Sequence, residues 1–133
     1  MRKDAREAVF VLLYRDMYSE EKDAELIDKI YKSHKLNDSE KQFADTLYDT
    51  VNEHKDELLE IISQLSVAFK LNRIFPTDKC ALLIGLTELK YFPDVPKIVA
   101  IDEAVNLATK YSSEKSNNFV NGILAQYIKN SEA

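Results

Sequence analysis

The chain has 133 residues, 45% of them hydrophobic and 31% charged, and carries a net charge of -5. That apolar fraction is too high for a disordered chain, and the length suits one domain over residues 1–133. The acidic balance excludes a protein that coats nucleic acid by bulk electrostatics, though not one with a local basic patch.

Helical periodicity runs from end to end. Ala5, Ala8, Val9, Leu12 and Leu13 share one face of a first helix, with Asp4 just ahead as its expected cap. Residues 1–15 also hold Arg2, Lys3, Arg6 and Arg15 against Asp4 and Glu7, while the acidic excess starts just after, in SEEKDAE. A weaker second helix carries Leu26, Ile27, Ile30 and Tyr31 and ends near Ser33 to Asp38. Ser39 with Gln42 reads as a capping box for the next helix, which buries Ala44, Leu47, Tyr48 and Val51. Leu58, Ile61, Ile62 and Leu65 continue the period after an expected kink near His54 to Asp56.

The segment Cys80 to Leu89 is apolar almost all round, which suits the centre of a bundle, and Pro76 stands where proline favours a helix start. Pro93 and Pro96 bracket a turn. Ile101, Ala104, Val105 and Ala108 then line one helix, and Val120, Ile123, Leu124, Tyr127 and Ile128 line the last. Gly85 and Gly122 each interrupt a helical pattern, at a cost of about 1 kcal/mol relative to alanine. Close approach of a neighbouring helix is the expected reason for both. The sum is an all-α bundle of about seven helices with no linker or repeat. Two glycines and three prolines supply too little turn chemistry for a β-sandwich or barrel.

Catalytic patterns are missing. His34 and His54 stand apart, with no zinc-ligand spacing around either, and read as surface residues. Neither glycine belongs to a phosphate-binding loop, and no nucleophile elbow occurs. Asp102 and Glu103 are adjacent on a helix, so they point about 100° apart and cannot face each other as a dyad. The lone Cys80 excludes a disulfide framework and reads as a small buried apolar residue. No cofactor and no metal are expected, and the function is binding, not catalysis. No apolar run approaches the roughly 20 residues of a membrane helix, and MRKDAREAV lacks a signal-peptide core. A cytoplasmic location is expected.

The stretch Asp94 to Leu124 resembles the NusB family of transcription antitermination factors. The family pattern D-V-P, V-A-I-N-E-A-V-x-L-A, a Ser-rich turn and F-V-N-G-V-L is matched by Asp94-Val95-Pro96, Val99 to Ala108 and Phe119 to Leu124. Ala5-Arg6-Glu7 with Leu13-Tyr14, and Glu88-Leu89 before the D-V-P turn, match further blocks in the same order. The resemblance covers essentially the whole chain, and this chain ends where the NusB domain ends, as a stand-alone factor would. It implies an all-α fold of two packed helical groups. It also implies binding of boxA RNA in ribosomal RNA leader transcripts together with NusE, a small ribosomal protein, and entry into the RNA polymerase antitermination complex with other Nus factors. Some members form homodimers.

Carried over residue by residue, the resemblance implies RNA contact by Arg2, Lys3 and Arg6 on the first helix, with Arg6 foremost because a guanidinium binds phosphate bidentately and stacks on bases. It implies a second RNA-contacting region at Asn118 and Phe119. The NusE side falls on Asp78 and on Lys115, where this chain reverses the acidic charge usual in the family. Leu83 replaces the family's usual arginine in the central helix, and Thr50 its mid-chain glycine. The alternative is a helical protein-interaction domain with no RNA binding of its own, which the thin basic cluster and Lys115 favour. An RNA-modifying enzyme would need a nucleotide or methyl-donor site that the sequence does not contain.

Overall fold

A computed structural model describes residues 2–19, 21, 23–67 and 69–132. Among these, seven α-helices account for the fold: α1 (Arg2–Asp16), α2 (Ala24–Ser33), α3 (Asp38–Glu53), α4 (Lys55–Leu65), α5 (Pro76–Tyr91), α6 (Lys97–Tyr111) and α7 (Glu114–Ser131). A 3₁₀ turn, Leu71–Arg73, lies between α4 and α5. No described residue belongs to a strand, and no described helix is long and apolar enough to cross a membrane.

The helices form two groups, α1–α3 and α4–α7, with α5 at the seam. It packs on α1 and α3 on one side and on α4, α6 and α7 on the other. The sequence explains this position. Cys80, Ala81, Leu82, Leu83, Ile84 and Leu86 are all fully buried, so α5 has no solvent face to spend on an outer position. Full burial of each leucine or isoleucine contributes about 1.5–3 kcal/mol. Leu83 fits this surrounding because an apolar side chain at a fully buried position carries no desolvation cost.

Gly85 lets the neighbours close on α5. A Cβ at this position would lie 2.8 Å from Leu124 Cδ1 and 3.0 Å from Ala104 Cβ, so α6 and α7 both approach through it. The same expectation for Gly122 is overturned. A Cβ there meets nothing within 4 Å, because the residue sits on the solvent side of α7.

Two helix starts also differ from the sequence reading. The first helix already begins at Arg2, so Asp4 lies inside its first turn, where its charge favours the positive end of the helix dipole. The capping box of α3 is made by Asn37 and Glu40, not Ser39 and Gln42. Glu40 N donates to Asn37 Oδ1 at 2.8 Å and Asn37 N donates to Glu40 Oε1 at 3.0 Å. Just ahead, Lys35 takes φ 56°, and the N–H of Leu36 reaches back to Tyr31 O at 3.2 Å, a Schellman closure that ends α2. The expected kink near His54 is a full break between α3 and α4.

Candidate nucleic-acid interface

The residues singled out for binding fall in two places. At one end, α1 begins beside the start of α6. Arg2 and Lys3 are exposed there and line a shallow cleft with Val95, Pro96, Val99 and Glu103. The Arg2 guanidinium lies 4.5 Å from the centroid of Phe43 on α3 and 3.9 Å from Asp94 Oδ2. Phe43 in turn meets Phe92 edge-on, with centroids 5.7 Å apart at 87°. The ring therefore fixes where a long, flexible side chain presents its charge.

Arg6, for which the resemblance implies RNA contact, is largely withdrawn from solvent. The side chain is 4% exposed and held by Glu88 of α5: Nε donates to Oε1 at 3.0 Å and to Oε2 at 2.8 Å, and Nη2 donates to Oε1 at 2.7 Å. The physical reason is helical phase. Arg6 lies between Ala5 and Ala8 on the buried face of α1, so its guanidinium is turned toward α5, while the residue still lines the cleft of Arg2 and Lys3. Burial pushes the Glu88 carboxyl above the usual carboxylate range, and the Arg6 guanidinium works against that shift. The pair clips α1 to the central helix, and the Arg6 guanidinium also lies 5.2 Å from the Phe43 centroid, so both Arg2 and Arg6 pack against this ring.

The second place is at the opposite end of α6, where α5 and α7 begin. Asp78, Lys115 and Phe119 line one cavity of about 200 Å³, closed by Phe69, Ile74 and Phe75. Asp78 is 4% exposed, and its Oδ1 has no hydrogen-bond partner among the described residues. Burial pushes its carboxyl up, opposed by hydrogen bonds from Ser116 and Ser112. Phe119 is half-buried and meets Phe69 edge-on, 6.0 Å between centroids at 80°. Asn118 and Lys115 are exposed. Phe75 is 62% exposed, an unusual position for an aromatic ring.

No described contact or cleft contains both Arg2 or Lys3 and Asn118 or Phe119. The structure instead brings Phe119 together with Asp78 and Lys115. Sequence reading missed Phe43 and Glu88 as the supports of the α1 cluster, since nothing local marks a partner 82 residues away. It also missed Phe69 and Phe75. The signal for these was available as two phenylalanines in the short connection FKLNRIFP, outside any helical stripe. His34 and His54 are both half-buried: His34 Nδ1 lies 2.9 Å from Ile30 O, and the His54 ring stacks on Tyr91 at 4.2 Å. Cys80 is buried as its pattern implied, and burial pushes the thiol up to about 12.

The NusB family model matches residues 3–129. The chain belongs to the NusB family. It is 33% identical over 131 residues to the transcription antitermination protein NusB of Finegoldia magna, covering 98% of this chain and 96% of that protein. It is similar to the solved structure of T. maritima NusB, with a TM-score of 0.85 and 29% identity over 97% of this chain and 91% of that one. A crystal structure of the antitermination factors NusB and NusE in complex with double-stranded RNA is similar with a TM-score of 0.86 and 29% identity, covering 96% of each chain. The fold of the family is thus present here.

Proposed function

We propose that residues 1–133 act as one RNA-binding domain of a cytoplasmic antitermination factor. It binds boxA RNA of ribosomal RNA leader transcripts jointly with the ribosomal protein NusE. Through NusE and other Nus factors it joins RNA polymerase. The observation that carries this reading is the shared cavity at the start of α5 and α7, which Asp78 and Lys115 (the partner side) and Phe119 (the RNA side) all line. A partner seated there would border any RNA that Phe119 touches, which is how two weak binders reinforce each other on one site. A solved relative holds NusB, NusE and double-stranded RNA in one complex, which supports the same assignment.

In this reading Arg2 and Lys3 supply the phosphate contacts at the far end, Asn118 and Phe119 the base contacts, and Arg6 a supporting role against Phe43. With only two exposed cations at the start of α1, the isolated chain binds RNA weakly and with salt dependence, and NusE completes the site. No step of this needs a metal or cofactor.

A second reading, a helical protein-interaction domain without RNA binding of its own, draws support from the burial of Arg6, which thins the exposed basic cluster. Fluorescence anisotropy of labelled boxA RNA, titrated with the chain alone and with NusE, separates the two. Tight binding only with NusE, abolished by scrambling the RNA, is the expected result. Absence of binding in the presence of NusE would leave the second reading. A homodimer covering the NusE surface would appear in the same titration as competition between self-association and NusE.

A further inference from the structure

Among the described residues, the buried side-chain atoms without a hydrogen bond are Asp16 Oδ1 and Asp78 Oδ1. Asp16 Oδ1 lies 3.6 Å from the Arg15 guanidinium, so a cation stands beside it. Asp78 is 4% exposed, has no ion pair among the described residues, and lines the cavity at the start of α5 and α7. A buried acceptor without a donor destabilises a fold, so this atom marks where a donor from outside gains most.

The walls around it are apolar. Phe69, Ile74, Phe75 and Phe119 all line the cavity, and Phe69 and Phe119 meet edge-on to enclose a corner. Phe75 is 62% exposed. The proline that follows it, Pro76, imposes extended backbone, observed at φ -56° and ψ 138°, so the ring is displayed at the surface ahead of α5. At about 200 Å³ the cavity is smaller than the roughly 300–1,000 Å³ of sites for drug-sized ligands, and it suits one large side chain.

Two cations complete the lining. Arg73 and Lys115 are exposed, and neither has an ion-pair partner among the described residues. On a chain with 23 acidic side chains to 18 basic, unpaired cations beside exposed aromatic surface are complementary to carboxylates from another molecule.

These features select the occupant. Aromatic walls favour another ring, and the unpaired acceptor asks for one donor on it. Tyrosine and tryptophan combine the two, and each buries its donor against a partner. Such rings are also the usual anchors of protein interfaces. An arginine or lysine would meet Arg73 and Lys115, and an aspartate or glutamate would meet Asp78. A nucleotide base carries several donors and acceptors on its edge, and most would be buried unsatisfied here.

We infer that this cavity is a socket for a single tyrosine or tryptophan side chain from an acidic segment of a protein partner. Its O–H or N–H donates to Asp78 Oδ1, and neighbouring carboxylates of the same segment meet Arg73 and Lys115. The inference rests on the reading of this cavity as the partner's seat and names the chemistry that fills it.

The test uses the whole chain and three N-acetylated, C-amidated tripeptides: Asp-Tyr-Asp, Asp-Phe-Asp and Lys-Tyr-Lys. Each is titrated while backbone amide and isoleucine methyl resonances are followed by NMR. Asp-Tyr-Asp should shift the Ile74 methyl and Ser116 amide resonances. Asp-Phe-Asp should bind about tenfold more weakly, the loss expected for one hydrogen bond to a charged group, and Asp78→Leu should erase that difference. Lys-Tyr-Lys should bind more weakly than Asp-Tyr-Asp at low salt. The double variant Arg73→Glu, Lys115→Glu should reverse the order of these two peptides, and it alters only exposed side chains, so the fold is kept. No binding of Asp-Tyr-Asp at millimolar concentration, equal affinity of the parent for the tyrosine and phenylalanine peptides, or an unchanged order in the charge-reversed variant would each overturn the inference. Displacement of Asp-Tyr-Asp by an oligouridine would also overturn it, assigning the cavity to RNA. Adding NusE to the peptide complex separates the two readings. Displacement of the peptide supports both, whereas a peptide that stays bound beside NusE supports the socket and removes the reading of the cavity as the seat of NusE.

Discussion

Arg6 is where the family pattern and the packing assign different work to one side chain, and substitution separates the two. Arg6→Ala removes three hydrogen bonds from Glu88, whose residue is 1% exposed, and leaves that carboxylate without a counter-charge. Breaking a buried ion pair from one side costs about 3–5 kcal/mol, a large part of the roughly 5–15 kcal/mol by which a domain is stable. With a urea dependence of roughly 1–3 kcal/mol per M, the unfolding midpoint should fall by about 2 M, followed by far-ultraviolet circular dichroism. Arg6→Met combined with Glu88→Leu should recover most of that loss, because apolar side chains of similar volume replace a buried pair at little or no cost. The recovered double variant is the decisive protein. In complex with NusE it should bind boxA RNA as the parent does, since Arg2, Lys3 and the Phe43 ring remain. A double variant as unstable as the single one would refute the ion-pair account. A stable double variant that no longer binds RNA would refute the supporting role and return Arg6 to direct contact.

The two glycines give a paired test by thermal melting. Gly85→Ala and Gly122→Ala gain the same helix propensity, about 1 kcal/mol, so their difference isolates the clash with Leu124 and Ala104. Gly85→Ala should be the less stable by about 1–3 kcal/mol, and equal melting temperatures would contradict the close approach of α6 and α7. Asp78→Asn should stabilise the isolated chain at neutral pH, because burial raises the carboxyl's folded-state pKa and so disfavours its charged form. The sign follows from linkage: the native carboxyl favours folding below its unfolded-state value and loses that advantage as pH rises through the folded one. The gain from Asp78→Asn should therefore vanish as melts are repeated down to pH values below the ordinary aspartate range, and affinity for NusE should fall. Cys80, buried and with its thiol pushed up to about 12, should react with a disulfide reagent only at the rate of unfolding at neutral pH. Fast labelling of the native protein would contradict its burial in α5.

What local chemistry dictates was legible in the order of residues alone. The stripes of α1, α2, α6 and α7 and the all-round apolar α5 follow from residue spacing, because a helix of 3.6 residues per turn turns periodicity into a face. Gly85 was legible for the same reason: only a neighbour can justify glycine in the middle of a buried helix. The capping box was ambiguous, since Asn37 with Glu40 and Ser39 with Gln42 both satisfy the pattern. The ambiguity is resolved by the Schellman closure at Lys35 and Leu36, which sets the start of α3.

The tertiary structure alone decided what the binding residues are able to do. Arg6 reads as a basic residue among others until Glu88 arrives from α5 as a partner inside the core and holds its guanidinium by three hydrogen bonds. Gly122 reads like Gly85 until the side of α7 it occupies is known, because sequence gives the phase of a helix but not which of its faces the bundle leaves open. The meeting of Asp78, Lys115 and Phe119 around one cavity has the same origin. Their separation along the chain carries no information about it, since it depends on how α5 and α7 are brought side by side by the apolar faces that the sequence did specify.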